Sequence, residues 1–113
     1  MSFHTILLLT FSAFSAAAGQ LLFKVGAVGS RSLLDFINPY ILGGLVLYGL
    51  GTAIWIYVLS SEMLVNVYAF TALTFVLVYL AGIVFLGEAI SKPAMLGVAL
   101  VLSGLYLITA HGN

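Results

Sequence analysis

The chain has 113 residues, of which 64% are hydrophobic and 5% are charged, and its formal net charge is zero. Soluble domains carry about a quarter charged residues, so a chain this apolar cannot cover itself with polar surface in water. The zero net charge argues against a nucleic-acid partner, and the lack of cysteine excludes disulfides and thiolate metal sites.

Four apolar segments predict four transmembrane helices that form one domain over residues 1–113. The predicted helices cover about residues 5–26, 39–60, 64–86 and 94–110. Each is about 17 to 23 residues long, which is enough to cross a hydrocarbon layer of about 30 Å. The segments are apolar on all sides and do not alternate, so helices are favoured over membrane strands. We therefore expect an all-α integral membrane protein with short loops.

Positive charge in the loops predicts the orientation of the chain in the membrane. Lys24, Arg31 and Lys92 all fall at the first or the third loop, and these two loops lie on the same side. Loops rich in lysine and arginine stay in the cytoplasm. The sequence therefore predicts that both chain termini lie outside, on the periplasmic side of a bacterial inner membrane.

The first predicted helix carries a polar row that is costly to place in hydrocarbon. Ser12, Gln20 and Lys24 lie on one side of this helix because they are spaced in steps of four. A lysine stem can reach the headgroups and a serine can pack against a neighbouring helix, so both residues have structural alternatives. A glutamine is too short to reach the headgroups, which favours a cavity wall. We expect Lys24, Gln20 and Ser12 to bind substrate.

Aromatic side chains on the second and third predicted helices are further candidates for substrate binding. Tyr48 and Trp55 are seven residues apart, which places them on one face of the second helix, and Tyr68 lies near the start of the third. Aromatic residues in membrane helices more often face lipid or pack against neighbours. Both interpretations stay open for these three residues.

The fourth predicted helix carries a groove of small residues. Gly97 and Gly104 are two turns apart, and Ser103 is adjacent to the second glycine. Such grooves allow two membrane helices to approach closely. We expect Gly97, Ser103 and Gly104 to form a subunit interface.

No residue pattern in the chain indicates an enzyme. The three carboxylates, Asp35, Glu62 and Glu88, map to loops or helix ends. There is no Ser-His-Asp arrangement, no metal cluster and no phosphate-binding loop. We expect no catalytic residues, no metal and no cofactor.

Three stretches, "GQLLFKVGA", "VNVYAFTALTFV" and "FLGEAISKPAMLGVALVLSGLYLI", carry a resemblance to a known family. In this order they resemble the four-helix small multidrug resistance branch of the drug/metabolite transporter superfamily, which is EamA-like. Tyr68 falls on the family tyrosine. The resemblance implies a transporter that works as a dimer, whose halves are related by inverted topology.

One departure from that branch is informative. Its cation exporters use a glutamate eight residues before the family lysine, and this chain has Ala16 at that distance from Lys24. The pattern of Gly19, Gln20 and Lys24 is more similar to the paired subunits that are implicated in flipping undecaprenyl-phosphate-linked aminoarabinose. The resemblance therefore implies an anionic polyprenyl-phosphate sugar as the cargo.

Three functional hypotheses follow. The first is a flippase that moves an anionic lipid-linked sugar across the inner membrane, as a homodimer or with a second four-helix subunit. The second is a small multidrug or metabolite exporter without the usual helix-one glutamate. The third is an accessory membrane subunit that does not transport.

Overall fold

The computed structural model describes residues 2–111, and this part of the chain is helical without any strand. The helices are α1 (Phe3–Ala27), α2 (Pro39–Leu59), α3 (Leu64–Tyr68), α4 (Phe70–Leu86) and α5 (Lys92–His111). A short 3₁₀ helix, Leu33–Phe36, lies in the first loop. The prediction of an all-α fold with four helical segments is confirmed, with α3 and α4 together forming the third segment.

Three segments are long and apolar enough to cross a membrane. They are Phe3–Ala27, Pro39–Leu59 and Leu64–Leu86, whereas α5 contributes a shorter apolar stretch, Lys92–Ile108. The chain is therefore a membrane protein by the length and composition of its helices.

The third segment differs from the continuous helix that was predicted for it. The helical hydrogen bonding is interrupted at Ala69, where the Ala72 N–H donates to the Ala69 carbonyl oxygen at 3.1 Å. This bond spans three residues and not four, which is the tighter 3₁₀ pattern. Ala69 keeps right-handed helical dihedrals, so the segment continues in the same direction.

Asn38 fixes the start of α2 against the end of α1. Its side-chain oxygen accepts from the Ile41 N–H at 3.0 Å, and Pro39 fills the first helical position. Its side-chain amide donates to the Gly26 carbonyl oxygen at 3.0 Å. One side chain therefore caps α2 and holds the two helices together where they meet the first loop.

The helices α1 and α2 pack antiparallel through a set of small residues that we call the glycine seam. The seam consists of Ser12, Gly19 and Gly26 on α1 and of Gly44 and Gly51 on α2. A Cβ built on Gly19 would lie 2.8 Å from the Gly44 carbonyl oxygen, so the two backbones are nearly in contact. The Ser12 Oγ donates to the Gly51 carbonyl oxygen at 2.7 Å. Close packing of this kind allows membrane helices to associate although no hydrophobic effect drives them together in lipid.

The helix α4 packs on α1, and α5 lies apart from the other helices. The few contacts of α5 are mainly with α4, and none of its described side chains is buried. The buried apolar core is correspondingly small. One cluster consists of Leu9 on α1, Val58 on α2 and Val67 on α3, and Ala13 and Ala17 of α1 are also buried.

Candidate functional site

A cavity of about 200 Å³ lies between the second half of α1 and the end of α4. We call it the lysine cavity. Its lining residues are Ala17, Gln20, Leu21, Lys24, Val78, Ala81, Gly82, Leu86 and Glu88. The structure therefore brings the predicted pair Gln20 and Lys24 to the wall of one cavity.

The geometry of α1 explains why Gln20 and Lys24 share this wall. They are one helical turn apart, and the helix ends three residues after the lysine, at Ala27. Both side chains are solvent-accessible, and neither makes a hydrogen bond or ion pair with another described residue. The ammonium and the amide are therefore both available to a ligand.

Glu88 lies in the loop after α4, as the sequence predicts, and this loop brings the residue to the wall of the lysine cavity. Gly87 ends α4 in the left-handed conformation, with φ of 68°, and thereby turns the chain back. The Glu88 N–H then donates to the Gly82 carbonyl oxygen at 3.1 Å. The side chain folds back over α4, so that a Cβ built on Gly82 would lie 2.5 Å from the Glu88 Oε1.

A signal for this placement was present in the sequence. A glycine followed by a polar residue at the end of an apolar run is typical of a left-handed helix cap, and such caps return the chain to the last turn. The sequence does not show that the part of α1 that carries Lys24 lies near this end of α4. Lys24 and Glu88 share the cavity wall without forming an ion pair.

A second cavity, of about 90 Å³, lies nearer the start of α1. We call it the tryptophan cavity. It is lined by Leu9, Ser12, Ala13, Ala16, Tyr48, Gly51, Thr52, Trp55, Val67, Phe70, Thr71 and Thr74. None of these side chains carries a charge. Five of the six residues predicted to bind substrate therefore line one of the two cavities: Lys24 and Gln20 line the lysine cavity, and Ser12, Tyr48 and Trp55 line the tryptophan cavity.

The tryptophan cavity contains one polar atom that lacks a partner among the described residues. The Trp55 Nε1 is buried and makes no hydrogen bond. The Trp55 ring lies 6.0 Å from the ring of Tyr68, measured between centroids, which brings the sixth predicted residue to the edge of this region. The Ser12 hydroxyl, by contrast, donates to the Gly51 carbonyl oxygen. Ser12 therefore packs against the neighbouring helix, which is the structural alternative to substrate binding.

The distance between the two cavities follows from the helix geometry. Ser12 and Gln20 are eight residues apart on α1, which corresponds to about 12 Å along the helix axis. A single small headgroup therefore does not contact Lys24 and Trp55 at the same time within one chain.

The residues predicted for the subunit interface are open in this chain. A Cβ built on Gly97 or Gly104 would meet nothing within 4 Å. The Ser103 Oγ donates to the Ala99 carbonyl oxygen at 2.8 Å, within its own helix. The groove on α5 is thus unoccupied by the described part of the chain, and its role stays a prediction.

Asp35 is held by the backbone of the first loop. Its Oδ2 accepts from the N–H groups of Arg31, at 2.9 Å, and Ser32, at 3.2 Å. These two hydrogen bonds, that of Arg31 first, lower the pKa of the Asp35 carboxyl below its usual value. Its role is therefore to order the loop.

The fold and the two cavities together define a helical membrane protein with a charged cavity at one end of its helices. Over residues 2–111, no cluster of His, Cys, Asp and Glu side chains could hold a metal ion. Comparisons with protein-family models, with curated proteins and with solved structures found no match to this chain.

Proposed function

We propose that the chain is a transporter subunit that moves an anionic lipid-linked sugar, of the polyprenyl-phosphate class, across a bacterial inner membrane. The observation that carries the proposal is the lysine cavity, where the accessible groups of Lys24 and Gln20 line one wall. An ammonium next to an amide is suited to a phosphate because both donate hydrogen bonds to its oxygens.

In this proposal the chain moves its cargo without chemical change. The phosphate pairs with Lys24 while the amide of Gln20 bonds the headgroup. The lipid tails stay in the bilayer, since the cavity lies between helices and opens toward their surroundings. The uncharged tryptophan cavity, with Tyr48 and Trp55, lies further along α1 and lines the route of the sugar.

The proposal includes a dimer and a family assignment. Three helices packed together and one lying apart do not enclose a path for a headgroup, so a second subunit completes it. The groove of Gly97, Ser103 and Gly104 on α5 is the proposed contact, in an antiparallel homodimer or heterodimer. The resemblance to the small multidrug resistance branch supports the same assembly, with the termini outside.

Replacement of Lys24 tests the proposed function. We expect Lys24→Met to abolish transport of a fluorescent polyprenyl-phosphate sugar in proteoliposomes, and Lys24→Arg to retain part of it, because arginine keeps the charge but not the shape. The assay follows quenching of the probe by a reagent outside the vesicles.

Lys92→Met is the matched control, because Lys92 lies at the start of α5 and does not line the lysine cavity. We expect this variant to transport like the unmodified protein. Full transport by Lys24→Met would refute the role of Lys24.

One observation favours a second candidate function, an exporter of small cations. Glu88 lies in the lysine cavity, so the chain has an acid where a cation could bind although Ala16 replaces the usual one. In that case Glu88→Gln abolishes export of ethidium from everted membrane vesicles. Under the first proposal the same variant keeps its anionic cargo.

A further inference from the structure

We propose that the first loop, residues 28–38, is a surface that binds the lipid bilayer. The exposed apolar side chains of its 3₁₀ helix enter the membrane interface, and the Arg31 guanidinium binds phospholipid phosphates. The occupant of this surface is the phospholipid of the membrane that the chain spans. No residue of the loop lines the lysine cavity, so lipid binding here is independent of the cargo.

The 3₁₀ helix and the residue after it present apolar side chains with little cover from the rest of the described chain. Leu33, Leu34 and Ile37 are 87%, 76% and 69% exposed. Apolar side chains grouped in this way are unfavourable in water, and such patches mark sites that contact a membrane or another protein. The loop therefore requires an apolar surface outside its own chain.

The position of the loop identifies the bilayer as that surface. The helices α1 and α2 are both long and apolar enough to cross a membrane, and the loop joins the end of α1, at Ala27, to the start of α2, at Pro39. A short connection between two spans lies at the membrane surface. Apolar side chains of interfacial segments enter the boundary between headgroups and acyl chains by about 5–10 Å.

Hydrogen bonds at both ends of the loop hold it close to the two helices. The side-chain amide of Asn38 donates to the Asp35 carbonyl oxygen at 2.9 Å and to the Gly26 carbonyl oxygen at 3.0 Å. At the other end, the Ser30 N–H donates to the Ala27 carbonyl oxygen at 3.2 Å. These contacts keep the 3₁₀ helix near the level of the helix ends, where the lipid headgroups lie.

The two charged residues of the loop differ in what they offer to a lipid. The Asp35 carboxylate accepts hydrogen bonds from the backbone N–H groups of Arg31 and Ser32, so its charge is stabilised within the loop. The Arg31 side chain is exposed and makes no hydrogen bond or ion pair with another described residue. A guanidinium binds phosphate oxygens through two parallel hydrogen bonds, and phospholipid phosphates are abundant at this depth.

Fluorescence quenching tests where the 3₁₀ helix lies. The chain has no cysteine, so Leu33→Cys in the whole chain takes a single bimane label. In phosphatidylcholine nanodiscs, we expect nitroxides placed on the lipid acyl chains near the headgroup to quench this label. We expect iodide in the surrounding water to quench it weakly.

Ser61→Cys is the matched control for this measurement. Ser61 is also exposed and lies in the second loop, but its neighbours Ser60 and Glu62 are polar. We expect the opposite result for a label at this residue, namely strong quenching by iodide and weak quenching by the lipid nitroxides.

Solid-state NMR tests the contact between Arg31 and phosphate. Arg31 is the only arginine of the chain, so isotope-labelled arginine reports on this residue alone. In phosphatidylcholine proteoliposomes, we expect lipid phosphorus to dephase the guanidinium carbon in a rotational-echo double-resonance experiment. The double variant Leu33→Ser and Leu34→Ser keeps the arginine but loses the apolar contact with lipid, so we expect dephasing that is slower by about twofold or more.

Each measurement has an outcome that would overturn the proposal. If iodide quenches the label at residue 33 as strongly as the label at residue 61, the 3₁₀ helix lies in water. If neither iodide nor the lipid nitroxides quench it, a protein subunit covers the patch instead of lipid. No dephasing in the unmodified protein would refute phosphate binding by Arg31, and unchanged dephasing in the double variant would show that the leucines do not hold the loop on the bilayer.

Discussion

Two carboxylates in the loops between the long helices show how much the role of a side chain depends on the contacts that hold it. The Asp35 carboxylate accepts hydrogen bonds from two backbone N–H groups, whereas the Glu88 carboxylate has no hydrogen-bond partner among the described residues, and Glu88 lines the same cavity as Lys24. A hydrogen-bonded carboxylate is stabilised in its charged form by the protein itself. Asp35 is therefore committed to the loop, while the Glu88 carboxylate is not held by any other described residue.

Protonation of Asp35 is expected to loosen the first loop. Because the fold lowers the pKa of Asp35, the carboxylate stabilises the first loop above its unfolded pKa, and this stabilisation is lost as the pH falls through the lowered value. We expect the amide resonances of Arg31 and Ser32 to shift in that acidic window when followed by NMR in detergent micelles.

Asp35→Ala provides the comparison at neutral pH. The variant loses the acceptor of both N–H groups, so we expect faster hydrogen exchange over residues 31–36 and no change in exchange at α2. Unchanged exchange over the loop would mean that the two hydrogen bonds do not order it.

At the scale of the helices, the glycine seam determines how α1 meets α2. Ser12, Gly19 and Gly26 recur every seven residues on α1, and Gly44 and Gly51 are seven apart on α2, so each helix presents its small residues on one line. The Ser15 Oγ adds a further bond across the helices, to the Leu47 carbonyl oxygen at 2.6 Å. The seven-residue spacing is visible in the sequence, and it is the signal that predicts this contact.

We predict that a larger side chain in the glycine seam forces α1 and α2 apart. In Gly19→Ala the Cβ would lie 2.8 Å from the backbone oxygen of Gly44 and 3.1 Å from the Tyr48 nitrogen. Backbone atoms cannot swing away as a side chain does, so the helices must separate. We expect a loss of about 1–3 kcal/mol in the free energy of unfolding, measured by reversible unfolding in micelles.

Gly49→Ala is the matched control for the seam. Gly49 lies in α2 outside the seam, and a Cβ built on it would meet nothing within 4 Å. We expect this variant to unfold like the unmodified protein or slightly later, because alanine favours the helix. Equal losses in both variants would show that the seam has no special role.

At the scale of the whole molecule, three helical segments pack together and α5 stands apart. Its described side chains are half-buried or exposed, and the groove at Gly97 and Gly104 faces no other part of the described chain. The charged cavity lies on the side of the first and third loops, between α1 and α4. This arrangement leaves α5 free to contact a second subunit, as the proposed dimer requires.

Filling the groove of α5 tests this arrangement. We expect the double variant Gly97→Leu and Gly104→Leu to shift the protein from dimer to monomer in micelles, measured by light scattering with size-exclusion chromatography, because the leucines block close approach. Unfolding within each chain should be unaffected. Leu102→Phe, on the opposite side of α5 by helical spacing, should stay dimeric, and a double variant that stays dimeric would contradict the proposed interface.

The sequence by itself determined the class of the protein and the polar groups of its first helix. Its composition requires a hydrocarbon environment, and apolar runs of this length form helices there because each backbone N–H and C=O must find a partner within the segment. The spacing of Gln20 and Lys24 placed them on one wall for the same geometric reason.

Only the tertiary structure decided which helix faces which, and therefore what the cavities contain. Helices that are apolar all round carry little periodic signal for their buried side, because lipid and protein neighbours are equally apolar. The placement of Lys24 and Trp55 in different cavities, and of Glu88 in the same cavity as Lys24, both depend on the register in which α1 passes α2 and α4. That register is set by contacts between small residues far apart in the chain, such as Gly19 and Gly44.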